Sequence, residues 1–312
     1  MSDTLVLVNP AAGGGRAGRF WEQMRARAEA LANIVVAVPA DAARARAALS
    51  AAVASGCERV VAVGGDGTAH LVASSLLASG AGEKVTLGIL PAGTGSDLAR
   101  TLAIPRHPRE ALKRALLGPP TALDAGRCDG GEGRFWFVNI ASAGIGGMVD
   151  AAVNAMQRRG RTAFLRATLA ALRRYRSVPV RVWLDGEAWY EGPLFLLAVA
   201  NGTTFGKGMR VAPQARPDDG ALDVVLVGDV SGWELMLRLP QVYLGRHLHA
   251  RPVQHRRARE VRLEPLAPLP PFDVDGETYP SGAVTFRVMP AALRVAGATP
   301  AARMAAPTSL TA

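Results

Sequence analysis

The chain holds only two cysteines, Cys57 and Cys128, in 312 residues. Two are too few for a disulfide framework, and their separation is not that of a metal site, so a stapled secreted fold and a cysteine-held metal are both set aside. Aromatic residues make up 5% of the sequence, which leaves little to stack on bases, and no nucleic-acid-binding motif is present. No run reaches the roughly 18–20 uncharged apolar residues of a membrane-spanning helix. The chain opens directly into Thr4-Leu5-Val6-Leu7-Val8. It has no basic start or cleavage site of a signal peptide, and a reducing cytoplasm is the expected compartment. Lysine is scarce, so arginine has to carry any cationic role.

What is present suits a globular chain. Hydrophobic residues make up 49% and charged residues 20%, enough for a substantial core, and the length accommodates two domains. The 36 Lys and Arg against 26 Asp and Glu give a formal charge of +10. From Arg158 to Arg176, arginines interleave with Phe164, Leu165, Leu169, Leu172 and Tyr175. At helical spacing this makes a basic amphipathic surface suited to an anionic membrane. A second basic cluster runs from Arg246 to Arg262. Ordinary solvated charge on a helix or loop is the competing reading of each.

The most informative stretch is Val60-Val61-Ala62-Val63-Gly64-Gly65-Asp66-Gly67-Thr68. Its small apolar residues read as a buried parallel strand running into a glycine turn, with a helix following from Ala69 to Ala78. Such a turn lets backbone N–H groups approach an anion, and the helix N-terminus adds its own attraction. There Asp66 is placed to take a metal or a ribose hydroxyl, and Thr68 a phosphate. Two further loops have this character: Asn9-Pro10-Ala11-Ala12-Gly13-Gly14-Gly15-Arg16 after the first strand, and Pro91-Ala92-Gly93-Thr94-Gly95-Ser96-Asp97 after the strand at Val85–Leu90. Helices expected near Gly18–Ala32 and Ala42–Ser55, with a strand at Ile34–Val38, complete an alternation that indicates a doubly wound parallel sheet. Ligands of such sheets bind at the carboxyl ends of the strands, where all three loops fall.

Beyond about Leu123 the texture changes to short strands separated by Gly, Pro and Asp: Phe135–Ile140, Val178–Leu184, Leu194–Asn201, Leu222–Val227 and Ala283–Val288. They read as an antiparallel sandwich joined to the first domain by a hinge near Leu123–Cys128. The expected division is 1–125 for the α/β domain and 126–290 for the sandwich. Residues after about 290 add a strand that packs back onto the first domain, followed by a disordered tail.

The three loops, together with Asn139-Ile140-Ala141-Ser142-Ala143-Gly144, Asn201-Gly202 to Gly206, Pro213 to Asp223 and Asp275-Gly276-Glu277, occur in the order seen in the diacylglycerol kinase catalytic-domain superfamily. The chain resembles its bacterial soluble lipid-kinase branch, which is related to sphingosine and ceramide kinases and more distantly to NAD kinases. The resemblance implies a nucleotide in the cleft between domains, with ATP and Mg²⁺ as cofactors. It implies nucleotide contacts at Asn9, Gly64, Gly65, Asp66, Gly67, Thr68, Gly93 and Thr94, with Arg16 or Arg19 near the phosphates. Glu277 corresponds to the general base, Asp124 to an aspartate of the metal and water network, and Asp66 joins them as a catalytic residue. A second, structural Mg²⁺ site would use the Asp219 carboxylate with the carbonyls of Arg216 and Ala221. Implied partners are a neutral lipid substrate and, peripherally, the anionic inner membrane face; no nucleic acid is expected, and a homodimer is allowed. An exposed β-turn for Asp-Gly-Glu, an acidic hinge cap for Asp124 and a metal-free Asx-turn for Asp219 remain as plainer readings.

Departures from the pattern matter. The family has Asn and Glu where this chain has His70 and Leu71, and its Gly-Thr-x-Asn-Asp-Phe is here Gly93-Thr94-Gly95-Ser96-Asp97-Leu98. A threonine of the family is replaced around Val38-Pro39. His70 is expected on the helix surface. Transfer to a lipid hydroxyl is the leading function; a soluble acceptor, as in NAD kinases, and a catalytically weak nucleotide sensor stay open beside it.

Overall fold

The computed structural model describes residues 4–93, 95–131, 133–154, 170–171 and 174–299. Its first part comprises β1 (Thr4–Val8), α1 (Ala12–Leu31), β2 (Ile34–Ala37), α2 (Ala42–Ala54), β3 (Arg59–Gly64), α3 (Asp66–Ala78), β4 (Thr86–Pro91), α4 (Asp97–Thr101) and α5 (Pro108–Leu117). The four strands are parallel in the order β2-β1-β3-β4. Every residue of β1 and Val60–Gly64 of β3 are buried, because α1 and α5 pack together as one helical pair and α2 and α3 as another, the covering that parallel sheets require.

The second part contains β5 (Pro120–Gly130), β6 (Gly133–Phe137), β7 (Ile140–Gly144), α6 (Ile145–Asn154), β8 (Val178–Leu184), β9 (Glu187–Leu194) and β10 (Leu196–Ala200). It continues with β11 (Leu222–Val227), α7 (Gly232–Tyr243), β12 (Val253–Ala258), β13 (Glu260–Pro265), β14 (Phe272–Val274), β15 (Glu277–Tyr279) and β16 (Val284–Ala296). One sheet of this part has the order β12-β11-β10-β7-β14-β15 and is antiparallel throughout. The other is an extension of the parallel sheet, running β4-β16-β13-β8-β9, with β5 beside β16 and β6 beside β5. Between the two sheets lies a core that includes Phe137, Val180, Leu263 and Phe286 from one and Val199, Val224 and Phe272 from the other. The expected α/β domain and antiparallel sandwich are therefore both present, joined by a continuous sheet.

The join itself is a two-stranded ribbon. β16 pairs antiparallel with β13 through Val284–Arg287, breaks register between Met289 and Leu293, and then lies parallel to β4 at Arg294 and Val295. β5 follows it from one part to the other. The segment expected as a hinge at Leu123–Cys128 is thus a strand that crosses between the lobes. The Arg246–Arg262 cluster is largely β12 and β13, where Ala258, Val261 and Leu263 face inward and Arg256, Arg257 and Arg262 outward. Most of the Arg158–Arg176 run lies outside the described residues.

Candidate active site

The three glycine loops interlock at the carboxyl ends of β1, β3 and β4. Asn9 donates its backbone N–H to Val63 O, and Ala92 and Gly93 donate theirs to Gly64 O, at 2.7–3.1 Å. Glycine is required at these contacts: a Cβ on Gly64 would run into the Thr68 side chain, one on Gly93 into the Gly65 backbone, and one on Gly13 would sit 2.9 Å from Ala92 O. Gly13, Gly14 and Gly15 are all left-handed, with φ of 63°, 68° and 83°, before α1 becomes regular. Asn9 Nδ2 donates to Thr68 Oγ1 at 3.1 Å, tying the first loop to the second. Arg16 is turned back onto its own loop, Nε donating to Gly13 O at 3.0 Å. Thr94 lies outside the described residues.

Asp66, expected to face a metal or ribose, instead holds the third loop. Its Oδ2 accepts the N–H of Ser96 at 2.7 Å and of Asp97 at 3.1 Å, and Oδ1 accepts that of Leu98 at 3.2 Å. The carboxylate caps α4 from outside the helix, answering N–H groups that have no carbonyl a turn earlier. Asp97 is buried beside it. Burial and the neighbouring Asp66 push its carboxyl up, against the opposing effects of the Lys207 N–H and Arg100.

The opposite lobe contributes a turn built by carboxylates. β14 and β15 form a hairpin whose two central residues, Asp275 and Gly276, have φ of 53° and 90°. Positive φ at both positions is what a type I′ turn requires and Asp-Gly supplies. Asp273 Oδ1 accepts the Gly276 N–H at 2.7 Å. Asp275 Oδ1 accepts from Asn139 and Ile140, and Oδ2 from Val138 at 2.8 Å and His70 Nδ1 at 3.0 Å. Glu277 follows this turn, exposed, with Oε1 4.0 Å from where a Gly67 Cβ would be. The acid of the second lobe therefore stands against the first turn of α3.

His70 is a correction. Expected on the surface, its side chain is 7% exposed and that of Asp275 5%, making the pair a buried link between the lobes. Since the acceptor is a carboxylate, Nδ1 carries the hydrogen. Nδ1 stands at the same branch point of the side chain as the amide nitrogen of an asparagine, so either residue can reach Asp275 from this position. The signal was in the sequence: His70 lies three residues after Gly67, on the same helix face. Asp273 was missed as well; three carboxylates within Asp273-Val274-Asp275-Gly276-Glu277 in a short strand were its mark.

The remaining expected residues are elsewhere in the junction. Asp124 Oδ2 accepts the Gly220 N–H at 2.7 Å and Oδ1 the Ala291 N–H at 2.8 Å, pinning the break in β16 to the second lobe. Asn201 Nδ2 donates to the carbonyls of Asp124 and Val138, and Asn139 Nδ2 to that of Thr204. Asp219 is ion-paired with Arg257 and accepts the Ala221 N–H at 3.2 Å. A guanidinium thus meets its charge, and the bond from Ala221 N–H has the form of an Asx-turn. Among the described residues no group of three His, Cys, Asp or Glu side chains is placed to hold a metal.

Between the lobes lies a cavity of about 230 Å³. One end is polar, formed by Asp66, His70, Asp97, Asp273, Asp275 and Gly276. From there it runs into apolar side chains of α6, β10, β11 and α7, among them Val149, Leu196, Val225 and Leu239. Glycine loops on one lobe and a carboxylate turn on the other thus meet at this cavity.

Comparison with known proteins gives the chain its family. Residues 3–128 match the diacylglycerol kinase catalytic domain, and residues 139–297 the YegS C-terminal NAD kinase beta sandwich-like domain. A diacylglycerol kinase of Mycobacterium tuberculosis is 34% identical over 262 residues, covering 83% of this chain and 84% of the relative. A probable YegS-like lipid kinase of Xanthomonas euvesicatoria is 33% identical over 249 residues, covering 78% and 80%. The solved structure of a putative diacylglycerol kinase from Bacillus anthracis superposes with a TM-score of 0.76 at 22% identity, covering 96% of this chain and 98% of that one. The chain belongs to the diacylglycerol kinase catalytic-domain family. It is a phosphotransferase of its lipid-kinase group.

Proposed function

We propose that this kinase uses ATP to phosphorylate the hydroxyl of a neutral lipid, a diacylglycerol or a sphingoid or ceramide lipid. The observation that carries the reading is the cavity: its polar end is at the Asp275-Gly276 turn beside Glu277, and its body is apolar. A water-soluble acceptor would leave that apolar lining unused, whereas a lipid places its chain there and its hydroxyl at the polar end.

The residues present suit a nucleoside triphosphate. The missing side chains of Gly14 and Gly67 leave room against the backbone, and α3 starts at Asp66, directly after the glycine turn, as anion sites are built. When bound, ATP supplies the γ-phosphoryl group, and its transfer depends on positioning and charge neutralisation. The acceptor oxygen bonds to phosphorus as the bond from phosphorus to the β-phosphate oxygen breaks. Glu277 receives the acceptor's proton as general base, and the turn fixed by Asp273 and Asp275 sets where its carboxylate stands. The chain does not fit a magnesium ion caged by protein: Asp66, Asp97, Asp124 and Asp275 each have both oxygens engaged by protein donors. Mg²⁺ bound mainly by nucleotide phosphates and water is the ordinary alternative.

Incubation with radiolabelled ATP and dispersed diacylglycerol or ceramide tests the proposal. Label is expected in the chloroform-soluble product. Label appearing solely on a water-soluble acceptor would overturn the lipid reading.

A further inference from the structure

A second groove, of about 940 Å³, lies on the other side of the loop that carries Ser96 and Asp97. Its lining brings together Arg100, Arg106, Lys207 and Arg210 and contains no carboxylate. Asp97, in the adjoining loop, is paired with Arg100. Three of these cations, Arg100, Arg106 and Arg210, are exposed. Beside them, at the end of α7, Tyr243 is 44% and Leu244 60% exposed, consecutive large apolar residues in open solvent.

The groove and the apolar cavity share a wall. Phe205 and Met209 exchange backbone hydrogen bonds at 3.0 Å, closing a tight hairpin with Lys207 at its tip. Phe205 and Met209 line the cavity, while Lys207 and Arg210 line the groove. The tip is anchored to the first lobe by the Lys207 N–H on Asp97 Oδ2 at 2.8 Å. Arg210 N–H bonds Val242 O at 3.1 Å, joining the hairpin to the end of α7. In α7, Leu239 lines the cavity and Tyr243 the groove. Two adjoining segments thus present apolar side chains to the cavity and cationic or amphipathic ones outward.

We infer that this face docks on an anionic bilayer, lipid phosphates entering the groove among Arg100, Arg106, Lys207 and Arg210 while Tyr243 and Leu244 enter the headgroup layer. Arginine forks suit phosphate oxygens, and basic residues beside exposed apolar ones are the combination that holds a protein at a charged interface. The inference rests on the lipid-kinase reading and adds where the enzyme meets its substrate: the cavity lies one wall away from the bilayer.

The test is co-sedimentation with phosphatidylcholine vesicles, with and without phosphatidylglycerol. The full chain should bind the anionic vesicles preferentially. A double variant, Arg106→Glu with Arg210→Glu, should lower that binding by at least about tenfold, since each basic residue near such a surface counts for about a fivefold change in partition. Leu244→Ser should lower it less. Arg181→Glu with Arg262→Glu makes the same charge change on β8 and β13 and should stay within about twofold. Unchanged binding of the groove variant, or equal loss in both double variants, overturns the docking face. Turnover of a short-chain diacylglycerol in detergent separates this from the kinase reading. The groove variant should keep it, and its loss would put the groove in the catalytic site and overturn the inference. No turnover by the unaltered chain fails the kinase reading, whereas normal turnover with unchanged vesicle binding fails the docking face alone.

Discussion

Replacing His70 in turn by asparagine, glutamine and alanine separates the position of its nitrogen from its other properties. The Nδ1 hydrogen bond to Asp275 is 3.0 Å long and buried on both sides. A hydrogen bond to a charged group contributes roughly 1.5–3 kcal/mol, and Asp275 keeps three backbone donors when His70 is removed. Alanine should therefore cost about 2 kcal/mol, a fall of about 3 °C in Tm for a chain of this length. Because Asp275 leads into Glu277, the same change should lower kcat by about ten- to a hundredfold through loss of position, with nucleotide affinity nearly unchanged. Asparagine places its amide nitrogen where Nδ1 stands and should retain most of both properties; glutamine, one bond longer, should resemble alanine. Thermal melting and lipid turnover of the three variants decide the matter. Asparagine as harmful as alanine, or alanine without effect on either quantity, would refute the linkage.

Other sites give independent expectations. Asp66→Asn turns an amide N–H toward N–H groups of residues 96–98 and should cost about 2 kcal/mol, seen as faster hydrogen exchange at those three amides; unchanged exchange contradicts the clasp. For Asp129, burial acts upward but is outweighed by Arg134, Arg127 and Arg287, which hold its carboxyl below the ordinary value. Its contribution is present above the unfolded pKa and lost as pH falls through the lower folded one, so Asp129→Asn should flatten the acid limb of a Tm-against-pH curve, and an unaltered limb counts against it. Cys128 is buried, and burial with Asp129 pushes its thiol up to about 12. It should resist alkylation at pH 8 until the protein unfolds, and prompt labelling of the native chain would contradict that burial.

Much of this arrangement was legible in the residues. β8 and β11 occupy the expected spans, because each is an apolar run bounded by turn residues. The glycine loops were legible because close backbone approach leaves a direct mark on composition. β5 was not: Asp124 and Gly126 interrupt its apolar residues, and its partner β16 lies some 160 positions away in sequence. The basic β12–β13 segment was obscured for a related reason, since arginines on its outer face interrupt the inward residues Ala258, Val261 and Leu263 that place it in a sheet. The face of α3 carrying His70 could be read, but not that a second lobe covers it. Likewise the roles of Asp66 and Asp124 depend on which backbone N–H groups the fold brings to each carboxylate, and no local pattern states that.

A single-turnover measurement on Glu277→Gln bears most directly on the opposed lobes. With ATP and a dispersed lipid acceptor, the variant should bind nucleotide as the unaltered chain does while transfer slows by about a hundredfold or more, the scale of a lost general base. Transfer at the original rate, with the glutamine confirmed in place, would show that the acid facing Gly67 takes no part in the chemistry and would contradict the account.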